Sequence, residues 1–160
     1  MRVALASDHA GFALKEEIKS LLAGQGHETV DFGADDESPV DLVDHAYPAA
    51  LAVGRGEAER AVLVDGVGYG SAMIANRIAG VDAVVCQDPF CAALARSHSD
   101  SNVLCLGAKI IGSALAAATV TTWMTRGRIA AASCGESRRT DSIIGPKARM
   151  PLPPGATVMK

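Results

Sequence analysis

The chain has 160 residues, 49% of them hydrophobic and 21% charged, which suits one domain with a substantial core rather than several. A net charge of -3 and a pI near 5.8 argue against a nucleic-acid or anionic-membrane surface. No run approaches the roughly 18 apolar residues of a membrane span, and the apolar start from Met1 to Ala6 is too short for a signal peptide, so a cytoplasmic protein is expected. Cys86, Cys91, Cys105 and Cys134 lack CxxC spacing and read as buried free thiols rather than disulfides or zinc ligands.

In chain order, Val3–Ala6 reads as a first strand, followed by the polar Ser7-Asp8-His9 and by a helix over Gly11–Leu22 with Leu14, Ile18, Leu21 and Leu22 as its apolar stripe. A second strand over Glu28–Phe32 leads to a helix over Leu42–Val53. The third strand, Ala61–Val64, feeds directly into Asp65-Gly66-Val67-Gly68-Tyr69-Gly70 and a helix over Ser71–Ile78. A fourth strand, Ala83–Cys86, is followed by Gln87-Asp88 and a helix over Phe90–His98. The polar cluster His98-Ser99-Asp100-Ser101-Asn102 then precedes the fifth strand, Val103–Leu106, and Gly107-Ala108-Lys109 follows it. The last helix, Ile110–Thr125, offers Leu115, Val120 and Trp123 either as a contact face for a second subunit or as core. Four prolines, Pro146, Pro151, Pro153 and Pro154, exclude a regular helix from 145–160, leaving a surface wrap or a frayed terminus. The alternation predicts an α/β fold, a Rossmann-like three-layer sandwich on a five-stranded parallel sheet, with a single domain over 1–144 and a Pro-rich tail over 145–160.

In an open parallel sheet, ligands gather outside the carboxyl ends of the strands. Ser7-Asp8-His9 after the first strand, Asp65 with its glycine loop after the third, Gln87-Asp88 after the fourth and Gly107-Ala108-Lys109 after the fifth are the candidates there. Asp8 and Asp65 also have plainer readings, since Asp8 could cap the first helix and Asp65 could accept the amides of its own loop. The loop glycines let backbone N–H groups approach an anion or a developing oxyanion. A dinucleotide fingerprint is not met, because Ser71 stands at the third glycine position, and no Gly-Lys-Ser/Thr follows to make a nucleotide triphosphate loop.

Three blocks carry a resemblance: Val3-Ala4-Leu5-Ala6-Ser7-Asp8-His9-Ala10-Gly11-Phe12, then Gly66 to Gly70 with Ile74-Ala75-Asn76-Arg77, and His98-Ser99-Asp100-Ser101-Asn102-Val103-Leu104. Together, over about residues 2 to 144, the chain resembles the ribose-5-phosphate isomerase B family. The resemblance implies an aldose–ketose isomerase of sugar phosphates with no metal or organic cofactor and a homodimer with active sites at its interface, a tetramer being left open. It implies that His98 opens the sugar ring and that Asp8 and His9 contact the sugar and its phosphate. The amides of the loop, at Gly66, Val67, Gly68 and Gly70, would hold the enediolate, and Ser71 and Ser99 are taken with them as substrate contacts.

Departures from the family pattern shape the reading. Asp65 stands where many members carry a cysteine base, Val67 where they carry Thr or Ser, and Ser71 where another branch carries a glutamate base. The C-terminal R-H-x-x-R pattern survives only at Arg139, with Gly135 and Glu136 at the earlier positions, so Arg138 and Arg139 are the expected phosphate cations. Asp65 and His98 are accordingly the expected catalytic pair, and burial beside Val64 and Val67 is expected to raise the Asp65 pKa. Pentose and tetrose phosphates are the expected substrates. The alternative is a non-catalytic sugar-phosphate-binding member or one subunit of a heteromeric isomerase, as in the two-subunit galactose-6-phosphate isomerases.

Overall fold

Short runs in which nearly every residue is apolar are the mark of parallel strands covered on both faces. In the computed structural model, which describes residues 1–127, such runs form β1 (Arg2–Ser7), β3 (Arg60–Asp65), β4 (Ala83–Val85) and β5 (Val103–Gly107), and the more polar β2 (Glu28–Asp31) lies at an edge. All pair in parallel, in the order β2-β1-β3-β5-β4. Between and after them run α1 (Phe12–Gly24), α2 (Leu42–Gly54), α3 (Tyr69–Ala75), α4 (Pro89–Ser97) and α5 (Ser113–Thr125). This is the expected Rossmann-like α/β sandwich.

Right-handed crossovers assign the helices to faces. Steps from β1 to β2 and from β4 to β5 run one way along the sheet and place α1 and α4 on one face, where α5 joins them; steps from β2 to β3 and β3 to β4 run the other way and place α2 and α3 opposite. The period-two alternation of the strands then divides the core by size. Val3, Leu5, Val62, Val64, Leu104 and Leu106 pack against Leu14, Ile18, Leu22 and Trp123, whereas Ala4, Ala6 and Ala61 face the alanines 46, 49 and 50 of α2, which therefore lies close to the sheet. Each fully buried Leu or Val side chain contributes about 1.5–3 kcal/mol.

Several boundaries differ from the sequence reading, each through backbone bonding. Residues 107–112 turn before α5 begins, with Ile110 N and Ile111 N both donating to Gly107 O, so that helix starts at Ser113. α3 ends at Ala75 because Arg77 and Ile78 bond three residues back instead of four. Of the two readings of the apolar face on α5, core holds for Val120 and Trp123, which are wholly buried in the chain's own core, while Leu115 is exposed. Of the described cysteines, Cys86 and Cys105 are buried as expected, but Cys91 is exposed. Cys134, Glu136, Arg138, Arg139 and the 145–160 tail lie outside the described residues, as does the end of the expected 1–144 domain. Among the described residues no helix is long and apolar enough to cross a membrane.

Candidate active site

With β1 flanked by β2 and β3, the sheet reverses its winding between β1 and β3, and a crevice opens at the carboxyl ends of such a pair. Ser7 pairs with Val64 across that junction, so Asp8 and Asp65 emerge from adjacent strands. Asp8 N donates to Val64 O, 3.2 Å, and Asp8 Oδ1 accepts from Gly11 N, 2.9 Å. Asp8 thus closes the turn that leads into α1, although the helix's own N-cap is Gly11 and no side chain caps it. Gly11 is obligatory there, since a Cβ on it would stand 2.3 Å from Val64 O. His9 beside it is exposed, its Nδ1 3.5 Å from Val40 N.

The glycine loop turns sharply over the end of β5, with Gly68 at φ 85°, the left-handed region that favours glycine. At its centre sits Asp65, only 3% exposed. Its Oδ1 accepts from the amides of Val67, 2.8 Å, and Gly68, and its Oδ2 accepts from the amide and hydroxyl of Ser71, 2.9 and 2.6 Å. A carboxylate has about four acceptor positions, and here the loop occupies all of them. The expected rise in pKa is therefore corrected: burial does push Asp65 up, but the Ser71 hydroxyl and the amides of Ser71, Val67 and Gly68 outweigh it and hold the carboxyl below the usual carboxylate range. Gly66, Val67, Gly68, Gly70 and Ser71 are all brought into this one loop, with Val67 exposed and Ser71 fully buried.

Two cationic features lie near this end: Lys109, which the sequence places just after the fifth strand, and Lys15, which had no signal in the residue pattern. Lys109, exposed at the close of β5, donates its amide to Gly66 O at 3.0 Å, and its stem lies over Gly66, where a Cβ would meet Lys109 Cδ at 3.8 Å. Its position just after a strand's carboxyl end was the available clue. Lys15 reads as an exposed helix residue yet is 1% exposed. Its Nζ donates to Asp31 Oδ1, 2.8 Å, and to Ala34 O, 2.7 Å, while Asp31 Oδ1 also accepts from Gly33 N. Residues 33 and 34 in turn hold both backbone groups of Ser7, so this buried pair braces the end of β1 just before Asp8. Burial raises the Asp31 carboxyl, but Lys15, Lys19 and the Gly33 amide together leave it lowered.

His98 and Ser99 lie elsewhere. They cap α4 at its far end, on the connection into β5, and both are exposed. Asn102 in that connection binds Gly80 O and Asp82 N before β4 and accepts from Ala61 N at the start of β3. Ala61 and Asp65 are four residues apart on one strand, about 13 Å at the usual rise per residue. Within a single chain, then, Asp8, His9, Asp65 and the loop converge at the carboxyl ends of the strands, while His98 and Ser99 sit at the amino end of the sheet, on the connection into β5.

Comparison with known proteins bears on the family and the fold. Residues 3–143 match the model of the family described as Ribose/Galactose Isomerase. The chain is 40% identical over 123 residues to ribose-5-phosphate isomerase B of Escherichia coli, covering 77% of this chain and 83% of that protein. It is 41% identical over 128 residues to the 4-deoxy-4-sulfo-D-erythrose isomerase of a Clostridium species, covering 79% and 80%. The structure of ribose-5-phosphate isomerase B from Clostridium thermocellum superposes with a TM-score of 0.83 at 34% identity, over 89% of this chain and 97% of that one. The chain belongs to the ribose/galactose isomerase family and is an enzyme of the aldose–ketose isomerase class.

Proposed function

We propose that the protein interconverts the aldose and ketose forms of a pentose or tetrose phosphate through an enediolate, without a cofactor, as a homodimer. The observation that carries this reading is the junction of β1 and β3, where Asp8, His9 and the glycine loop built around Asp65 emerge side by side at the strands' carboxyl ends. Such a reaction needs donors for an oxygen that gains charge and a base for a carbon-bound proton. Loop amides supply the first. Lys109 and His9, with Arg138 and Arg139, supply cations for the phosphate.

Asp65 supplies the base by exchange of partners. Before substrate binds, the loop amides stabilise its charge and keep it a weak base. Each amide that turns to an oxygen of the substrate is one lost to the carboxylate, whose basicity then rises. The acid limb of kcat/KM, which reports the free enzyme, should therefore lie at lower pH than that of kcat. His98 opens a cyclic substrate, and because it sits at the amino end of its own sheet, away from Asp65, it is supplied by a second copy. Exposed Tyr69, Met73, Phe90 and Leu94 give α3 and α4 the apolar surface that such a dimer would cover.

A panel of tetrose, pentose and hexose phosphates assayed with the purified chain tests the reading. Turnover of at least one is expected, with Asp65→Asn slower by at least about a hundredfold; unchanged turnover in that variant removes Asp65 from proton transfer. The commitment of all four Asp65 acceptor positions to the loop favours one alternative, a subunit that needs a different partner chain for its base. Such a subunit would be inert alone.

A further inference from the structure

The five residues that carry His98 stand on an unusually polar foundation. Arg96 is only 8% exposed, Ser101 and Trp123 are fully buried, and all three meet beneath the connection 98–102. Arg96 Nη1 donates to Ser101 O, and Nη2 pairs with Asp100 Oδ1 at 2.9 Å. Trp123 Nε1 donates to Ser101 Oγ at 3.0 Å, so the serine is held through both its carbonyl and its hydroxyl. The Trp123 ring in turn carries two guanidinium groups, Arg60 at 5.1 Å and Arg96 at 5.9 Å. Arg60 is fixed by donating to the carbonyls of Trp123 and Met124, 2.9 and 3.0 Å, at the end of α5. Among the described residues Asp100 is the one non-glycine with a positive φ, 51°, a conformation that costs energy unless its surroundings impose it.

Burying a charged arginine is costly even when it is paired, and an apolar side chain would close a five-residue connection more cheaply. An arginine has a different virtue here, because its planar fork fixes two successive residues, Asp100 and Ser101, in direction as well as distance. Immediately before them come the two exposed residues, His98 and Ser99, that the proposed function presents to a second copy. We infer that Arg96, Ser101 and Trp123 are positioning residues for His98: they lock the 98–102 connection so that the imidazole reaches the partner's glycine loop in one orientation. This inference rests on the proposed role of His98.

A double-mutant cycle tests it, run on whichever sugar phosphate of the panel the native protein turns over fastest. Trp123→Phe keeps the ring and removes the N–H; it should lower kcat/KM about tenfold in the native background and less than about twofold in a His98→Ala background, since residues acting through one group are not additive. Ser101→Ala, a smaller change, should give the same pattern if Trp123→Phe folds poorly, and amide exchange at 98–102 should speed up in both variants while the strands stay protected. Equal losses in both backgrounds, or unaltered exchange at 98–102, would overturn the inference. Full activity of His98→Ala itself would instead overturn the role of His98, and the two failures are thereby told apart.

Discussion

The glycine loop and the 98–102 connection solve the same problem in opposite ways. Each holds polar groups at the end of a strand, and each is organised around a buried charge. In the loop that charge is Asp65, and its partners, Val67, Gly68 and Ser71, lie within six residues along the chain. In the connection it is Arg96, which pairs nearby with Asp100 and Ser101 but lies against Trp123 from a distant element, whose ring Arg60 also covers. A locally anchored loop carries its own instructions, whereas a connection anchored across the sheet keeps its shape only while α5 and β3 are packed beneath it.

The comparison can be broken at several points. Gly11→Ala should act most strongly, because the added carbon meets Val64 O at 2.3 Å and rigid backbone lies on both sides; a loss of about 3 kcal/mol or more in urea unfolding is expected, with failure to fold as its extreme. Arg96→Met removes the fork but leaves the half-exposed Asp100 carboxylate to water, so about 2 kcal/mol is expected, less than for a fully enclosed pair. Asp65→Ala strands the amides of Val67, Gly68 and Ser71 in a buried loop and should cost a comparable amount, about 2 kcal/mol. If the local anchor is self-sufficient, that loss should leave amide protection at 98–102 unchanged.

Acid sharpens the contrast further. Asp65 and Asp31 both have folded-state pKa values below their ordinary value of 3.8. Their contribution to stability is therefore fully present above that value and is lost as pH falls through the lower folded ones. Stability measured between about pH 2 and 5 should decline toward acid, and Asp65→Asn should flatten the decline by up to about 1.4 kcal/mol per pH unit, the effect of one proton. A slope identical to the native one would show that the Asp65 carboxylate is not anchored as described.

The smallest effect concerns the thiols. Burial, with smaller contributions from Cys91 and Asp88, pushes Cys86 up to about 12, and Cys105 is raised well above its ordinary value mainly by burial. An alkylating reagent at pH 8 should modify exposed Cys91 and spare Cys86 and Cys105, as read by peptide mass spectrometry. Modification of Cys86 in the folded protein would mean that the edge at β4 opens.

Strand runs, their alternation with helices and the glycine loop were all legible from the residues, because each depends on hydrophobic periodicity or on backbone freedom within a few positions. The capping of the loop by Asp65 was legible too, as one of two readings of a carboxylate followed by amides. Its pKa was not, since the outcome turned on how many of those amides the folded loop aims at the carboxyl. Lys15 was hidden for the same reason: nothing in an amphipathic helix says that one lysine will be covered by Asp31 and the carbonyl of Ala34. On α5, periodicity identified an apolar face but not whether that face met the sheet or another subunit.

By itself the sequence determined the alternating α/β pattern, the family and the residues that cluster after β1 and β3, since these follow from neighbours along the chain. Only the tertiary structure decided how far apart His98 and Asp65 stand, at opposite ends of the strands, and that Arg96 and Trp123 meet at Ser101 in the connection that carries the histidine. The reason is physical. A crossover helix carries the chain from the carboxyl end of one strand back to the amino end of the next, and which distant side chains then meet is settled by packing rather than by spacing.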